Sequence, residues 1–222
     1  MKINAIITGA TGMVGEGVLR ESLSSSDVER ILVIGRRPCR ISDPRLTEIL
    51  LDDFLDISAV MDQLRGYNAC FFCLGVSSVG MNKDDYYRVT YTLTMHFAEK
   101  LAEVNPEMTF CYISGAGTDS SENGPVRWAR VKGKTENDLM KLPFRKVYAF
   151  RPGLLKPSKD MRNVHKYYRI FIPLYPFMRA MFPRTVSTLS ELGMSMIHSV
   201  SEGYGKNVLE VRDIVKLAGK IS

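Results

Sequence analysis

A doubly wound α/β fold built on a parallel sheet, with a small, mostly helical C-terminal lobe, is what the sequence predicts. Three observations carry this reading. Short β-branched apolar runs alternate with segments of helical spacing from Lys2 to Phe150. The run Ala69–Leu74 is continuously apolar, as parallel strands covered on both faces are. The first strand ends in a glycine-rich turn that opens a helix. Strands alternating with crossover helices close most readily into a right-handed, doubly wound parallel sheet.

The elements follow in order. Lys2–Thr8 is a β-branched strand, and Val14, Val18 and Leu19 carry the helical spacing behind it. Val28–Gly35 and Leu46–Leu51 read as strands two and three, with helical spacing again at Ile57, Val60, Met61 and Leu64. Ala69–Leu74 is strand four, and a long helical stretch covers Lys83–Val104. Met108–Ser114 is strand five. Asn123-Gly124-Pro125 reads as a helix start with Pro in the first turn, and that helix reaches Lys141. Arg145–Phe150 is strand six. After Arg151-Pro152-Gly153 the alternation stops, and one late strand is expected at Asn207–Val211.

The chain has 222 residues, 45% apolar and 24% charged, which is ordinary composition for one globular domain and excludes disorder or collagen-like structure. There is no run of about 20 apolar residues to span a bilayer. The most apolar stretch, Ile170–Met178, is broken by Pro173 and Pro176. Met1-Lys2-Ile3-Asn4 leads straight into a strand without signal-peptide features, so a cytoplasmic protein is expected. Cys39, Cys70, Cys73 and Cys111 are too few and irregular for a disulfide scaffold. Cys70 and Cys73 sit three apart on a strand, where side chains point to opposite faces, so they read as core cysteines. His96, His165 and His198 share no ligand spacing, and no metal is expected. The net charge of +6 is local. Between Arg151 and Arg184 eight Lys or Arg face one acid, Asp160, a net +7, while the rest of the chain nets −1. That distribution, with no recognition motif, argues against a nucleic-acid binder.

Thr8-Gly9-Ala10-Thr11-Gly12-Met13-Val14-Gly15 spaces its glycines G-x-x-G-x-x-G between a strand and a helix. Glycine permits the tight turn and a close approach of a pyrophosphate, and the helix N-terminus offers free N–H groups and partial positive charge. Gly9, Thr11, Gly12, Met13, Val14 and Gly15 are therefore expected to hold a dinucleotide. An NAD-preferring site places Asp or Glu about 20 residues on. Here Ile34-Gly35-Arg36-Arg37 stands at the end of strand two. Arg36 and Arg37 can hold a 2′-phosphate, so NADP is the expected cofactor. Asp53, beside Phe54 after strand three, can reach the adenine amino group.

These residues resemble the short-chain dehydrogenase/reductase superfamily, a Rossmann fold, in its atypical and extended branches. Ile34-Gly35-Arg36-Arg37, Cys73-Leu74-Gly75, Ser114-Gly115, Val131-Lys132-Gly133 and Phe150-Arg151-Pro152-Gly153 are similar to the Tat-interacting, oxidoreductase-like group. The resemblance runs from about residue 3 to 155 and weakens beyond. It implies an NADP-binding core over 1–155 and a substrate lobe with closing elements over 156–222, within one domain. It implies that Cys73, Leu74 and Gly75 follow the cofactor, that Ser114 stands for the catalytic serine, that Lys132 is the lysine of the Y-x-x-x-K pair bonding the nicotinamide ribose, and that Pro152, Gly153 and Leu154 line the carboxamide end.

The tyrosine of that pair is replaced by Trp128. The (i, i+4) spacing keeps both side chains on one helix face, but an indole N–H donates a hydrogen bond without ionising at working pH. Three readings stand. An oxidoreductase or epimerase-like enzyme uses another acid, such as Tyr86, Tyr87 or Tyr91. An enzyme works with Ser114 and Lys132 alone. A non-catalytic NADP-sensing module binds a protein partner. The basic, aromatic stretch His165–Pro183 suits an apolar substrate pocket, an anionic ligand or a membrane surface, with membrane contact ranked low because its prolines interrupt any long amphipathic helix.

Overall fold

The computed structural model describes residues 1–158, 161–164, 172 and 174–219. Its elements are β1 (Ile3–Thr8), α1 (Met13–Ser24), β2 (Val28–Gly35), β3 (Leu46–Leu50), a 3₁₀ segment (Ser58–Leu64), β4 (Ala69–Phe72), α2 (Lys83–Tyr87), a π-helical turn (Arg88–Thr92), α3 (Leu93–Val104), β5 (Thr109–Ile113), α4 (Arg127–Leu139), β6 (Lys146–Arg151), β7 (Leu154–Lys156), α5 (Tyr175–Met181), β8 (Val186–Thr188), α6 (Leu189–Ser201), β9 (Val208–Glu210) and α7 (Val211–Ala218). Seven strands form one sheet in the order β3-β2-β1-β4-β5-β6-β9, and every neighbouring pair is parallel.

The period of two along each strand splits the core in two. Ile3, Ala5 and Ile7 of β1, Ile31 and Val33 of β2 and Phe71 of β4 face one layer, which Val18, Leu19, Leu192 and Ile214 cover from α1, α6 and α7. Ile6, Leu32, Ile34, Cys70 and Phe72 face the other, covered by Leu64, Phe97, Leu101 and Leu139. The register Ile6↔Cys70 and Ile7↔Phe71 keeps both sets aligned across β1 and β4. The apolar runs are continuous because both faces of these strands are covered.

Three departures from the sequence reading have a clear local account. The helix expected from Asn123-Gly124-Pro125 begins only at Arg127. The Asp119 carboxylate accepts from the amides of Ser121 (3.0 Å) and Gly124 (2.6 Å), which holds the chain in a turn ahead of the helix. Strand four stops at Phe72, because the Cys73 amide donates to Thr8 Oγ1 at 3.2 Å instead of continuing the ladder. The stretch 83–104 is helical throughout but contains the π turn at its middle.

The final third is mostly helical and packs onto the main sheet. β9 joins the edge of the main sheet at β6, and α6 and α7 cover one of its faces. α6 starts in a capping box, with the Glu191 amide donating to Thr188 Oγ1 and the Thr188 amide donating to Glu191 Oε2. A two-stranded parallel pair, β7 with β8, was not anticipated. The aromatic, basic run His165–Phe171, with Pro173, Lys159 and Asp160, lies outside the described residues.

Candidate functional site

The strand order reverses at β1, so the carboxyl ends of β1 and β4 diverge and leave a crevice, the usual ligand position in an open α/β sheet. The three glycines of the loop do different work there. Gly9 has φ +71, and a Cβ on it would lie 2.6 Å from the Cys73 carbonyl oxygen. Gly15 packs helix against loop, since a Cβ there would lie 2.1 Å from the Gly9 carbonyl oxygen. Gly12 is the open one, with only the Gly9 carbonyl oxygen at 3.4 Å from a built Cβ. It is the N-cap of α1, extended, with no side chain over the helix end. The exposed N-terminus of α1 therefore meets the crevice through Gly12, which fits a pyrophosphate.

At the end of β2 the two arginines part company. Arg37 lines a cavity of about 440 Å³ together with Thr11, Arg40, Arg162 and Asn163, while Arg36 is exposed and does not line it. Glu16, in the first turn of α1, is only 2% exposed. It accepts from the amides of Arg162 (3.0 Å) and Asn163 (2.9 Å), from Asn163 Nδ2 (2.9 Å) and from Arg20 Nε (3.0 Å). Burial would raise its pKa, but these donors hold it below the usual value. Past β3, Asp53 accepts from the Leu55 amide at 2.9 Å. The Phe54 ring is buried against Phe97, at 5.8 Å between centroids, so its side chain packs into the core.

Around β5 and α4 the predicted catalytic residues converge. The Lys132 ammonium donates to the backbone carbonyl of Ser114. Desolvation pushes its pKa down to about 8, against the pull of Glu136 one turn further along α4. The Ser114 hydroxyl donates to the Phe150 carbonyl at 3.1 Å. The Trp128 ring lies beside Gly117, in the loop after β5; a Cβ on Gly117 would sit 3.6 Å from Trp128 Cη2. Pro152 joins the same loop, its carbonyl accepting from the Ala116 amide at 2.9 Å. Gly153 cannot carry a side chain, because its Cβ would lie 2.0 Å from the Thr185 carbonyl oxygen. Leu154 follows it with its amide bonded to that same carbonyl at 2.9 Å. Leu74 packs on the core beside β4, and nothing crowds Gly75.

A model of the family described as Epimerase, the NAD dependent epimerase/dehydratase family, matches residues 5–138. The chain belongs to this family. Relatives within reach of the sequence include the protein FMP52-2, mitochondrial, of Scheffersomyces stipitis, 26% identical with both chains covered in full. The protein HTATIP2 of Rattus norvegicus is 27% identical over 68% of this chain and 62% of its own, in keeping with the expected Tat-interacting group. The Bordetella bronchiseptica enzyme WbmF in complex with NAD+ superposes with a TM-score of 0.68 at 14% identity, over 98% of this chain and 76% of the other. An Agrobacterium tumefaciens structure with bound NADP superposes with a TM-score of 0.65 at 15% identity, over 93% and 92%. At these identities the structural likeness shows the Rossmann fold. The FMP52 names also correct the cytoplasmic expectation: relatives from several fungi are named mitochondrial. Free thiols and an ordinary globular composition fit either compartment, so neither could discriminate.

In this epimerase/dehydratase-family chain the substitute acids fare poorly. Tyr86 is 1% exposed, buried beside Arg127. Tyr91 donates to Asp138 at 2.8 Å, and Lys134 bonds the same carboxylate. Lys134 and Asp138 lie on the side of α4 turned away from Lys132, since two residues along a helix is a rotation of about 200°. Tyr87 is partly exposed and its ring meets that of Tyr91 at a tilt, 4.8 Å between centroids. Sequence reasoning missed Glu16, Arg40, Arg162 and Asn163. The only signal for Arg162 was its place in the basic segment, and nothing in the sequence marks which arginine of that segment folds back onto the loop.

Proposed function

We propose that this chain binds NADP(H) and works in an oxidoreductase or epimerase-like reaction in which Lys132, rather than residue 128, exchanges the proton. The observation that carries the cofactor choice is the cavity beside Thr11, walled by Arg37 and two further guanidinium-bearing residues with no carboxylate lining it among the described residues. A carboxylate there would bond ribose hydroxyls and repel a 2′-phosphate. Gly12 is the point of closest approach for the pyrophosphate, and Gly9 and Gly15 shape the turn that exposes it. Asp53, Cys73, Leu74, Gly75, Pro152, Gly153 and Leu154 remain the residues proposed to follow the adenine and the nicotinamide ends.

Bound reduced cofactor supplies hydride, and a carbonyl that accepts hydride needs one proton on its oxygen. A lysine whose pKa is near the working pH combines availability of the proton with readiness to give it up. Lys132 is such a group, fixed to the end of β5 through the Ser114 carbonyl. The test of cofactor choice is calorimetry with NADPH and NADH. Tighter binding of NADPH supports the reading, and equal affinity removes it.

One observation favours a second reading, a cofactor-responsive interaction module without turnover. The Ser114 hydroxyl is turned onto the Phe150 carbonyl, and on the proposed alignment Trp128 takes the place of the family's tyrosine. Assays over carbonyl substrates with NADPH separate the two, and a pull-down with and without NADPH tests the module. From the names of the FMP52 relatives we propose a mitochondrial location, which fractionation of cells checks.

A further inference from the structure

The cavity beside the phosphate loop has a wall that comes from the far half of the chain. Residues Met161–Val164 lie between β7 and α5, and Arg162 bonds Glu16 of α1 across 146 positions of the chain. What holds them is a single carboxylate. Glu16 is buried in the first turn of α1, and three of its four partners belong to this segment: the Arg162 amide, the Asn163 amide and Asn163 Nδ2. The fourth, Arg20, offers its charge from one turn along α1, with Nη2 at 2.9 Å. A carboxylate in the first turn is favoured by the helix dipole, and charge-assisted bonds to backbone amides are the strong kind. The geometry of those amides fixes where the Arg162 side chain starts. Arg162 then spans to the loop after β2, where its Nη1 lies 3.4 Å from the Arg40 carbonyl. Arg40 itself sits at φ +58, a left-handed turn that brings its neighbours Arg37 and Cys39 to the same cavity.

We infer that Arg162, seated by Glu16, is a specificity-determining residue for the dinucleotide: with Arg37 and Arg40 it closes a three-guanidinium site around the adenosine 2′-phosphate. The inference rests on the NADP reading and deepens it. Arg162 touches the phosphate, and Glu16 is a positioning residue that never does. Arg36, which the sequence reading pairs with Arg37 at the 2′-phosphate, does not line this cavity. The chemistry asked of the ligand is a phosphomonoester on the ribose, since three guanidiniums and a threonine hydroxyl, with no carboxylate lining the cavity among the described residues, would leave a bare 2′-hydroxyl facing excess positive charge.

The experiment uses the full chain and four probes: NADPH, NADH, 2′,5′-ADP and 5′-AMP, each titrated by calorimetry. Arg162→Ala removes an exposed side chain and leaves the Glu16 bonds, which run to the backbone. It is expected to weaken NADPH and 2′,5′-ADP by roughly 10- to 100-fold and to leave NADH and 5′-AMP within about twofold. Glu16→Gln keeps the volume and removes the charge. It is expected to weaken 2′,5′-ADP but not 5′-AMP, and to add little in the Arg162→Ala background, because both act on one contact. A Glu16→Gln variant that loses both fragments equally marks Glu16 as structural only and overturns its positioning role. Wild-type preference for NADPH that survives Arg162→Ala overturns the inference while leaving the NADP reading on Arg37. Equal wild-type affinity for NADPH and NADH overturns both. Hydrogen exchange at the Arg162 and Asn163 amides supplies an independent readout: NADPH is expected to slow it more than NADH at matched saturation, and equal slowing counts against Arg162 as a phosphate contact.

Discussion

Lys132 is tied through its ammonium to the backbone carbonyl of Ser114, so α4 is stitched to the end of β5 by a lysine whose charge is held in a desolvated place. Its pKa is pushed down to about 8 from 10.5. The consequence for stability has a definite sign. Between about 8 and 10.5 the unfolded chain keeps a proton that the folded chain has released, so stability rises with pH across that window. Lys132→Met is expected to abolish this alkaline rise, as read by denaturant melts at pH 7.5 and pH 10. If Lys132 is the proton donor, carbonyl reduction by the wild type falls as pH rises through about 8. A rate that stays flat to pH 10 would remove Lys132 from that role.

The second and third glycines of the loop after β1 separate folding from binding. A Cβ on Gly15 would collide with a backbone carbonyl at 2.1 Å, and no side-chain rotation relieves that. Gly15→Ala is expected to cost at least about 1–3 kcal/mol, the range for overpacking. A Cβ on Gly12 meets its nearest atom at 3.4 Å, and the residue already has extended φ and ψ. Gly12→Ala is therefore expected to melt like the wild type and yet lose most dinucleotide affinity. Chemical denaturation and calorimetry on the same two variants check the contrast. Both properties moving together would mean that Gly12 is not where the cofactor approaches.

The layered sheet was readable because β1, β2 and β4 are apolar on both faces, a pattern that needs cover on both sides. The loop was readable because Gly9, Gly12 and Gly15 fall between a strand and a helix. The start of α4 was misplaced, since Pro125 looks like a first-turn proline and the competing Asp119 turn is a tertiary choice between two local hydrogen-bonding solutions. β7 and β8 have three residues each, too few for any period. The Glu16 contact joins positions 146 apart. Thr188 with Glu191 ahead of α6 was a signal within the sequence's reach, a capping box three residues wide.

Arg151 contributed to the basic segment by count but not by position. It is buried at the end of β6, with Nε 3.0 Å from Glu136 and Nη1 3.1 Å from Glu210. Burial opposes its charge, and the two carboxylates restore it, so its pKa stays above the ordinary value. Glu136 is on α4, one turn past Lys132, and is itself buried. Arg151→Met leaves that carboxylate uncompensated and is expected to cost about 3–5 kcal/mol. Adding Glu136→Gln should recover a good part of the loss, which urea melts of the single and double variants measure. Additive losses would show that the pair is not a closed electrostatic unit.

Trp128 is the only tryptophan in the sequence, which makes the proposed alignment of α4 testable without any assumption about turnover. Its ring rests beside Gly117, in the loop that follows Ser114, and one turn of α4 separates it from Lys132. A reduced nicotinamide near Lys132 would lie within a few side-chain lengths of the indole. Titration with NADPH is expected to quench tryptophan emission strongly and to sensitise the emission of the reduced ring, with Gly12→Asp as the non-binding control. Calorimetric binding with unchanged tryptophan emission would place the nicotinamide elsewhere and break the assignment of both residues. Trp128→Tyr then asks the chemical question. It restores an ionisable hydroxyl on the face of Lys132, and general acid catalysis contributes about 10²–10⁴-fold when geometry is right. NADPH oxidation with generic carbonyls should appear or rise in the variant. If the variant binds NADPH and still turns over no faster, the missing tyrosine is not what limits this site, and the Ser114 hydroxyl held on the Phe150 carbonyl becomes the next group to free.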